Sequence, residues 1–80
     1  MKTIRVQYFA ILREQRGLSE ESVRTASATA AALYEELRLR HGFSLPGDRV
    51  RAAINGDFVP AGAGLGEGDT VVFIPPVAGG

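Results

Sequence analysis

From Thr3 to Phe9 the chain alternates. In TIRVQYF the apolar Ile4, Val6 and Tyr8 are separated by Thr3, Arg5 and Gln7, the period of two that gives a strand one buried face. A polar stretch, REQRGLSEE, follows with a turn at Gly17, and ESVRT then reads as a short second strand that pairs with the first across a long loop. The period changes at residues 28–41. Ala30, Leu33, Tyr34, Leu37 and His41 recur at spacings of three and four, while Glu35, Glu36, Arg38 and Arg40 mostly fall on other faces, which predicts an amphipathic helix. Ser27 or Thr29 can cap its start, Gly42 suits the left-handed position that ends it, and Glu36 precedes Arg40 by one turn, an ion pair of about 0.3 kcal/mol. After the loop GFSLPGD, the stretch RVRAAINGDFV sets Asn55-Gly56 between apolar segments, the signal for a tight hairpin turn with positive φ at both central residues, so residues 50–54 and 58–59 are expected to pair. PAGAGLGEGD is too rich in glycine for regular structure, and a turn at residues 66–69 leads into TVVFI, whose four successive apolar residues predict a central strand buried on both faces.

A hairpin, a helix crossing one sheet face, a second hairpin and a last central strand parallel to the first make an α+β fold of the β-grasp, ubiquitin-like kind. It has a mixed sheet and one main crossing helix. Neither a repeat nor a linker interrupts it, so residues 1–80 form a single domain, with 75–80 as an extended C-terminal tail. A domain of this size hides only about 60% of the surface its unfolded chain exposes, and 45% hydrophobic residues suffice for that core.

Composition removes function classes more than it adds them. Nine basic and nine acidic residues are scattered evenly, so no basic footprint for nucleic acid exists. Charges at Lys2, Arg5 and Arg13 break the N-terminal region before it can form a signal sequence or membrane span, and a cytoplasmic protein without a membrane partner is expected. With no cysteine there is neither disulfide nor thiolate, and the single histidine, His41, reads better as a cation at the negative end of its helix than as a metal ligand. No metal site is expected. Glu20-Glu21 and Glu35-Glu36 read as solvated charges, not as an acid/base pair, and GAGLGEG matches a nucleotide loop only in its glycines.

What remains is the end of the chain, FIPPVAGG. Pro75 and Pro76 lack the N–H a ladder needs and hold φ near −65°, so they stop the strand and favour an extended arm. Val77, Ala78, Gly79 and Gly80 then narrow toward the terminus, and glycine beside the carboxylate suits threading into a site on another protein. Small residues also suit a frayed end. The tail alone leaves both readings open.

Three segments taken together decide more. VQYFAILRE, RAAINGDFV and LGEGDTVVFIPPVAGG occur in order along the chain, and they resemble the MoaD-like sulfur carrier family, small subunits of molybdopterin synthase. Thiazole-pathway sulfur carriers share the fold and the glycine pair, but usually lack the YFA…RE segment and the double proline. The resemblance implies a non-catalytic carrier subunit of a sulfurtransferase, whose catalytic residues lie on the large subunit. An E1-like adenylyltransferase uses ATP and magnesium to convert the Gly80 carboxylate into a transient acyl-adenylate, the only nucleotide binding implied. A sulfur donor then turns it into a thiocarboxylate. The charged tail, residues 75–80, enters the large subunit, where cyclic pyranopterin monophosphate receives the sulfur during molybdenum cofactor biosynthesis, in a heterotetramer of two small and two large subunits. No cofactor is held permanently. Family positions carry over onto Phe9, Phe58 and Ile74 as an apolar docking patch, with Arg13 as a polar contact, although Phe58 and Ile74 also suit an ordinary core. Ile74 stands where many relatives have a second aromatic. A ubiquitin-like modifier joined through Gly80 to lysines, or a carrier for another pathway such as thiazole formation or tRNA thiolation, is the alternative.

Overall fold

Inward-facing side chains set the architecture. In the computed structural model, which describes residues 1–76, strand β1 (Lys2–Tyr8) buries Ile4, Val6 and Tyr8 and leaves Arg5 exposed. β1 pairs antiparallel with β2 (Glu20–Thr25) and parallel with β5 (Thr70–Ile74), and β5 pairs antiparallel with β3 (Arg51–Ile54), which pairs with the edge strand β4 (Asp57–Val59). The sheet order β2-β1-β5-β3-β4, with the last strand at its centre, is the expected β-grasp.

The main helix, α2 (Ala30–His41), lies over one face. Its Ala30, Leu33, Tyr34 and Leu37, at helical spacing, are buried in one cluster with Ile4, Val6, Val71 and Phe73. The Thr29 hydroxyl accepts a hydrogen bond from the Ala32 N–H, and Gly42, at φ 72°, donates its N–H to the Arg38 carbonyl. Both caps are thus where the sequence places them. Glu36 ties the helix to the end of β2, accepting hydrogen bonds from Thr25 Oγ1 at 2.6 Å and Ser27 Oγ at 2.9 Å, and it pairs with Arg40 at 2.7 Å as expected. Glu35 pairs with Arg38 one turn on.

Asn55 and Gly56 have φ of 51° and 92°, the pair of positive values that a tight hairpin turn requires. The Asn55 side chain also donates to Asp69 and accepts from the Thr70 N–H, joining this turn to the start of β5.

Two expectations change. A helix, α1 (Ala10–Arg16), starts ahead of the stretch read as polar loop and takes in its first four residues, ending in a left-handed Gly17 at φ 81°. It buries a single side chain, Leu12, so it has no apolar period to reveal it. β5 is central, but its burial alternates: Val71 and Phe73 are buried while Val72 and Ile74 are only half-buried. Helix α2 covers one face of the sheet, and the other stays open.

Candidate functional site

The open face of the sheet collects the apolar residues that the core does not use. Register places Phe58, Ala53, Val72 and Gln7 in one row across β4, β3, β5 and β1, and Arg51 opposite Ile74 in the next. Phe9 follows Tyr8 in extended conformation, φ −124° and ψ 151°, so its side chain alternates to the open face, one step along the parallel register and beside Ile74. Ala10 then turns the chain sharply into α1 with φ 51°, a left-handed value that costs a non-glycine residue about 1 kcal/mol. Phe9 is 50% exposed and Phe58 59% exposed, large apolar surfaces of a kind that marks interaction sites. Neither is ordinary core. Arg13, one helical turn beyond Phe9, is exposed. The fold therefore gathers Phe9, Phe58 and Ile74 at one end of the open face with Arg13 on the adjoining helix.

Pro75 and Pro76 continue from β5 at that same end, outside any strand. The expected tail residues Val77, Ala78, Gly79 and Gly80 lie outside the described residues.

On the other side of the sheet, Glu21 is not the solvated charge expected of it. Tyr8 Oη donates to it at 2.6 Å, and Arg16 donates two bonds through Nε and Nη2, each at 2.8 Å. This bidentate clamp joins α1 to β1 and β2. The Arg16 hydrogen bonds, aided by Tyr8 and opposed by partial burial, hold the Glu21 carboxyl at about 2. Burial, with Glu21 beside it, raises the Tyr8 hydroxyl. His41 Nε2 lies 3.8 Å from Glu21, yet burial and the Arg16 charge outweigh that carboxylate and lower the imidazole below 6.5. Both effects work against the helix-end cation expected of His41. Gln15 and Ser44 exchange two further bonds that anchor α1 to the loop after α2.

A groove of about 500 Å³ runs between the start of α2 and strands β3 and β4, lined by Ala30, Tyr34, Val50, Ala52, Val59 and Phe73 among others. It lies on the helix side of the sheet, away from the exposed aromatics, and the Glu35 carboxylate at its rim is held by Arg38. Among the described residues no group of three or more His, Cys, Asp or Glu side chains could hold a metal ion, and no helix is long and apolar enough to cross a membrane.

Comparison with known proteins agrees with this geometry. The model of the ThiS family matches residues 6–80. The chain is 34% identical over 80 residues to the molybdopterin synthase sulfur carrier subunit of Escherichia coli (strain K12), covering 96% of this chain and 99% of that protein. Among solved structures, a putative molybdopterin converting factor, subunit 1, from Pyrococcus furiosus superposes with a TM-score of 0.77 at 31% identity, covering 96% of this chain and all of that one. SAMP1 from Haloferax volcanii superposes with a TM-score of 0.77 at 26% identity, covering 98% of this chain and 99% of that one.

Proposed function

The chain belongs to the ThiS family, and from that premise we propose that it is the sulfur carrier subunit of a molybdopterin synthase, with Gly80 as the sulfur-bearing residue. The observation that carries the reading is the open-face patch. Phe9, Phe58 and Ile74 converge where Pro75 and Pro76 leave the sheet, so a partner that grips the patch also receives the tail. The family match runs through residue 80, which supports placing the reacting carboxylate there.

The chemistry follows from a carboxylate being a poor acylating group. Attack of a Gly80 carboxylate oxygen on the α-phosphorus of ATP, in an E1-like adenylyltransferase using magnesium, releases pyrophosphate and leaves an acyl-adenylate. A sulfur donor then displaces AMP and forms the thiocarboxylate. The large synthase subunit binds the patch, takes the tail into its own catalytic site and directs the sulfur to cyclic pyranopterin monophosphate. Water supplies the oxygen that replaces the transferred sulfur on the acyl carbon, which returns the Gly80 carboxylate for another round. This chain supplies the docking surface and the carried atom, and its partner supplies the acid/base groups.

Intact mass of the untagged protein after incubation with the activating enzyme, Mg-ATP and a sulfur source is the direct test. One oxygen replaced by sulfur, localised to Gly80, supports carriage, and deletion of Gly80 abolishes the change while leaving the fold. Adenylation without sulfur gain, accompanied by attachment to lysines of other proteins, would move the assignment to a ubiquitin-like modifier.

A further inference from the structure

Arg51 stands out on the open face. Its guanidinium carbon sits 4.4 Å from the centroid of the Phe58 ring, the diagonal neighbour across β3 and β4, and its backbone pairs with Ile74 at the end of β5. It is exposed, and among the described residues no carboxylate lies within 4.0 Å of it. Stacking uses the face of the guanidinium and leaves its N–H edge able to donate. The surroundings point the same way. The strand residues of the open face include Arg5, Arg24 and Arg51 but one carboxylate, Glu20, which Arg5 already engages at 3.3 Å. Arg5 and Arg24 lie toward the other end of that face, level with Thr70 and Thr3, so among the open-face strand residues Arg51 is the cation at the apolar end.

We propose that Arg51 is a specificity determinant that reads a carboxylate on the large subunit, next to the apolar pocket that takes Phe58. The proposal rests on the sulfur-carrier reading and adds the chemistry of the partner's surface: acidic, facing the root of the tail. Phe58 holds the guanidinium in place before binding, so less side-chain freedom is lost when the carboxylate arrives. Because Arg51 is level with Ile74, capture of that carboxylate also fixes where the tail enters. Positive charge near the tail steers encounter with an acidic partner and discourages partners with basic rims.

The test uses the full chain, wild type and with Arg51→Ala, Arg51→Glu or Arg51→Lys, titrated against the large subunit at low and high salt, alongside synthase turnover with the thiocarboxylated forms. Arg51→Ala should weaken binding about tenfold and Arg51→Glu about a hundredfold, with KM for the carrier rising and kcat held. Arg51→Lys should recover part of the affinity, because it restores the charge without the planar fork. Wild-type affinity should fall with salt more steeply than that of Arg51→Ala. A merely structural role for Arg51 would lower the thermal midpoint of the free variants and leave the salt dependence intact, and that pattern would overturn the proposal. So would wild-type affinity in both Arg51→Ala and Arg51→Glu. A wild-type chain that carries the thiocarboxylate yet binds no large subunit would instead overturn the synthase reading, and the role of Arg51 with it.

Discussion

Replacing Glu21 with glutamine tests whether the clamp between α1 and the sheet stabilises the fold. Glu21 receives two bonds from Arg16 and one from Tyr8, and its side chain is 17% exposed. Its carboxyl is held at about 2 in place of the ordinary 4.5, which corresponds to about 3 kcal/mol favouring the folded, ionised state. Partial access to solvent reduces this to about 2 kcal/mol. The sign follows from a depressed folded value: the stabilisation is complete above pH 4.5 and is lost as pH falls from 4.5 toward 2. The introduced glutamine is isosteric with the protonated acid and does not titrate. Urea unfolding followed by far-ultraviolet circular dichroism at pH 7, 5 and 3 gives the comparison. With a slope of about 1 kcal/mol/M for so short a chain, the variant should unfold about 2 M earlier at pH 7, and the gap should shrink below pH 4.5. Glu35, Glu36 and Asp69 are also depressed, so both proteins lose stability in acid. The difference between them isolates Glu21. A gap that is absent at pH 7, or that stays constant down to pH 3, refutes the clamp.

The same cluster fixes a second titration: the His41 ring protons, followed by NMR, should report a midpoint below 6.5, because burial, Arg16 and Arg40 outweigh Glu21. His41 therefore contributes stability above its unfolded value that is lost as pH falls, and Glu21→Gln should move the midpoint lower still; a midpoint at or above 6.5 contradicts this. Leu33→Ala in the core should cost about 3 kcal/mol in urea unfolding, whereas Phe58→Ala on the open face should cost less than about 1 kcal/mol yet weaken large-subunit binding at least about tenfold. Equal losses of stability, or unchanged binding by Phe58→Ala, would remove Phe58 from the docking surface. Gly56→Val should destabilise by about 1–2 kcal/mol through backbone strain alone, since φ is 92° and no atom within 4 Å obstructs a Cβ; unfolding at the wild-type midpoint would mean the turn relaxes to another form.

Where the apolar pattern had a clear period, the sequence was sufficient. Ile4, Val6 and Tyr8 marked β1 because that strand has one wet face, and Ala30, Leu33, Tyr34 and Leu37 marked α2 because the helix buries one stripe. Asn55-Gly56 marked its hairpin because few other pairs tolerate two positive φ values. Helix α1 escaped because it buries only Leu12 and is held instead by polar contacts, Arg16 to Glu21 five residues on and Gln15 to the distant Ser44, that no apolar period announces. Glu21 was misread because adjacent acids look solvated. A signal existed nonetheless: counting back by two from the inward Val23 lands on Glu21, and a carboxylate at an inward position requires donors. His41 was misread for the same reason, since Arg16 and the burial that lower it come from the tertiary fold.

The apolar run in TVVFI misled about burial and, for that reason, informs about function. Val71 and Phe73 are consumed by the core, so stability accounts for them. Val72 and Ile74 face the side that α2 does not cover, where they share the open face with Phe9 and Phe58 rather than pack under a second layer. A surface selected only for solubility would carry polar residues at these positions, as β1 does at Thr3, Arg5 and Gln7 of the same face. The apolar character is confined to the end where Pro75 and Pro76 depart, and Ala10 accepts a left-handed backbone to let Phe9 turn outward beside it. A partner that covers the patch regains the solvation cost of all four side chains at the moment it aligns the tail, so on the sulfur-carrier proposal recognition of this chain is coupled to delivery of its cargo.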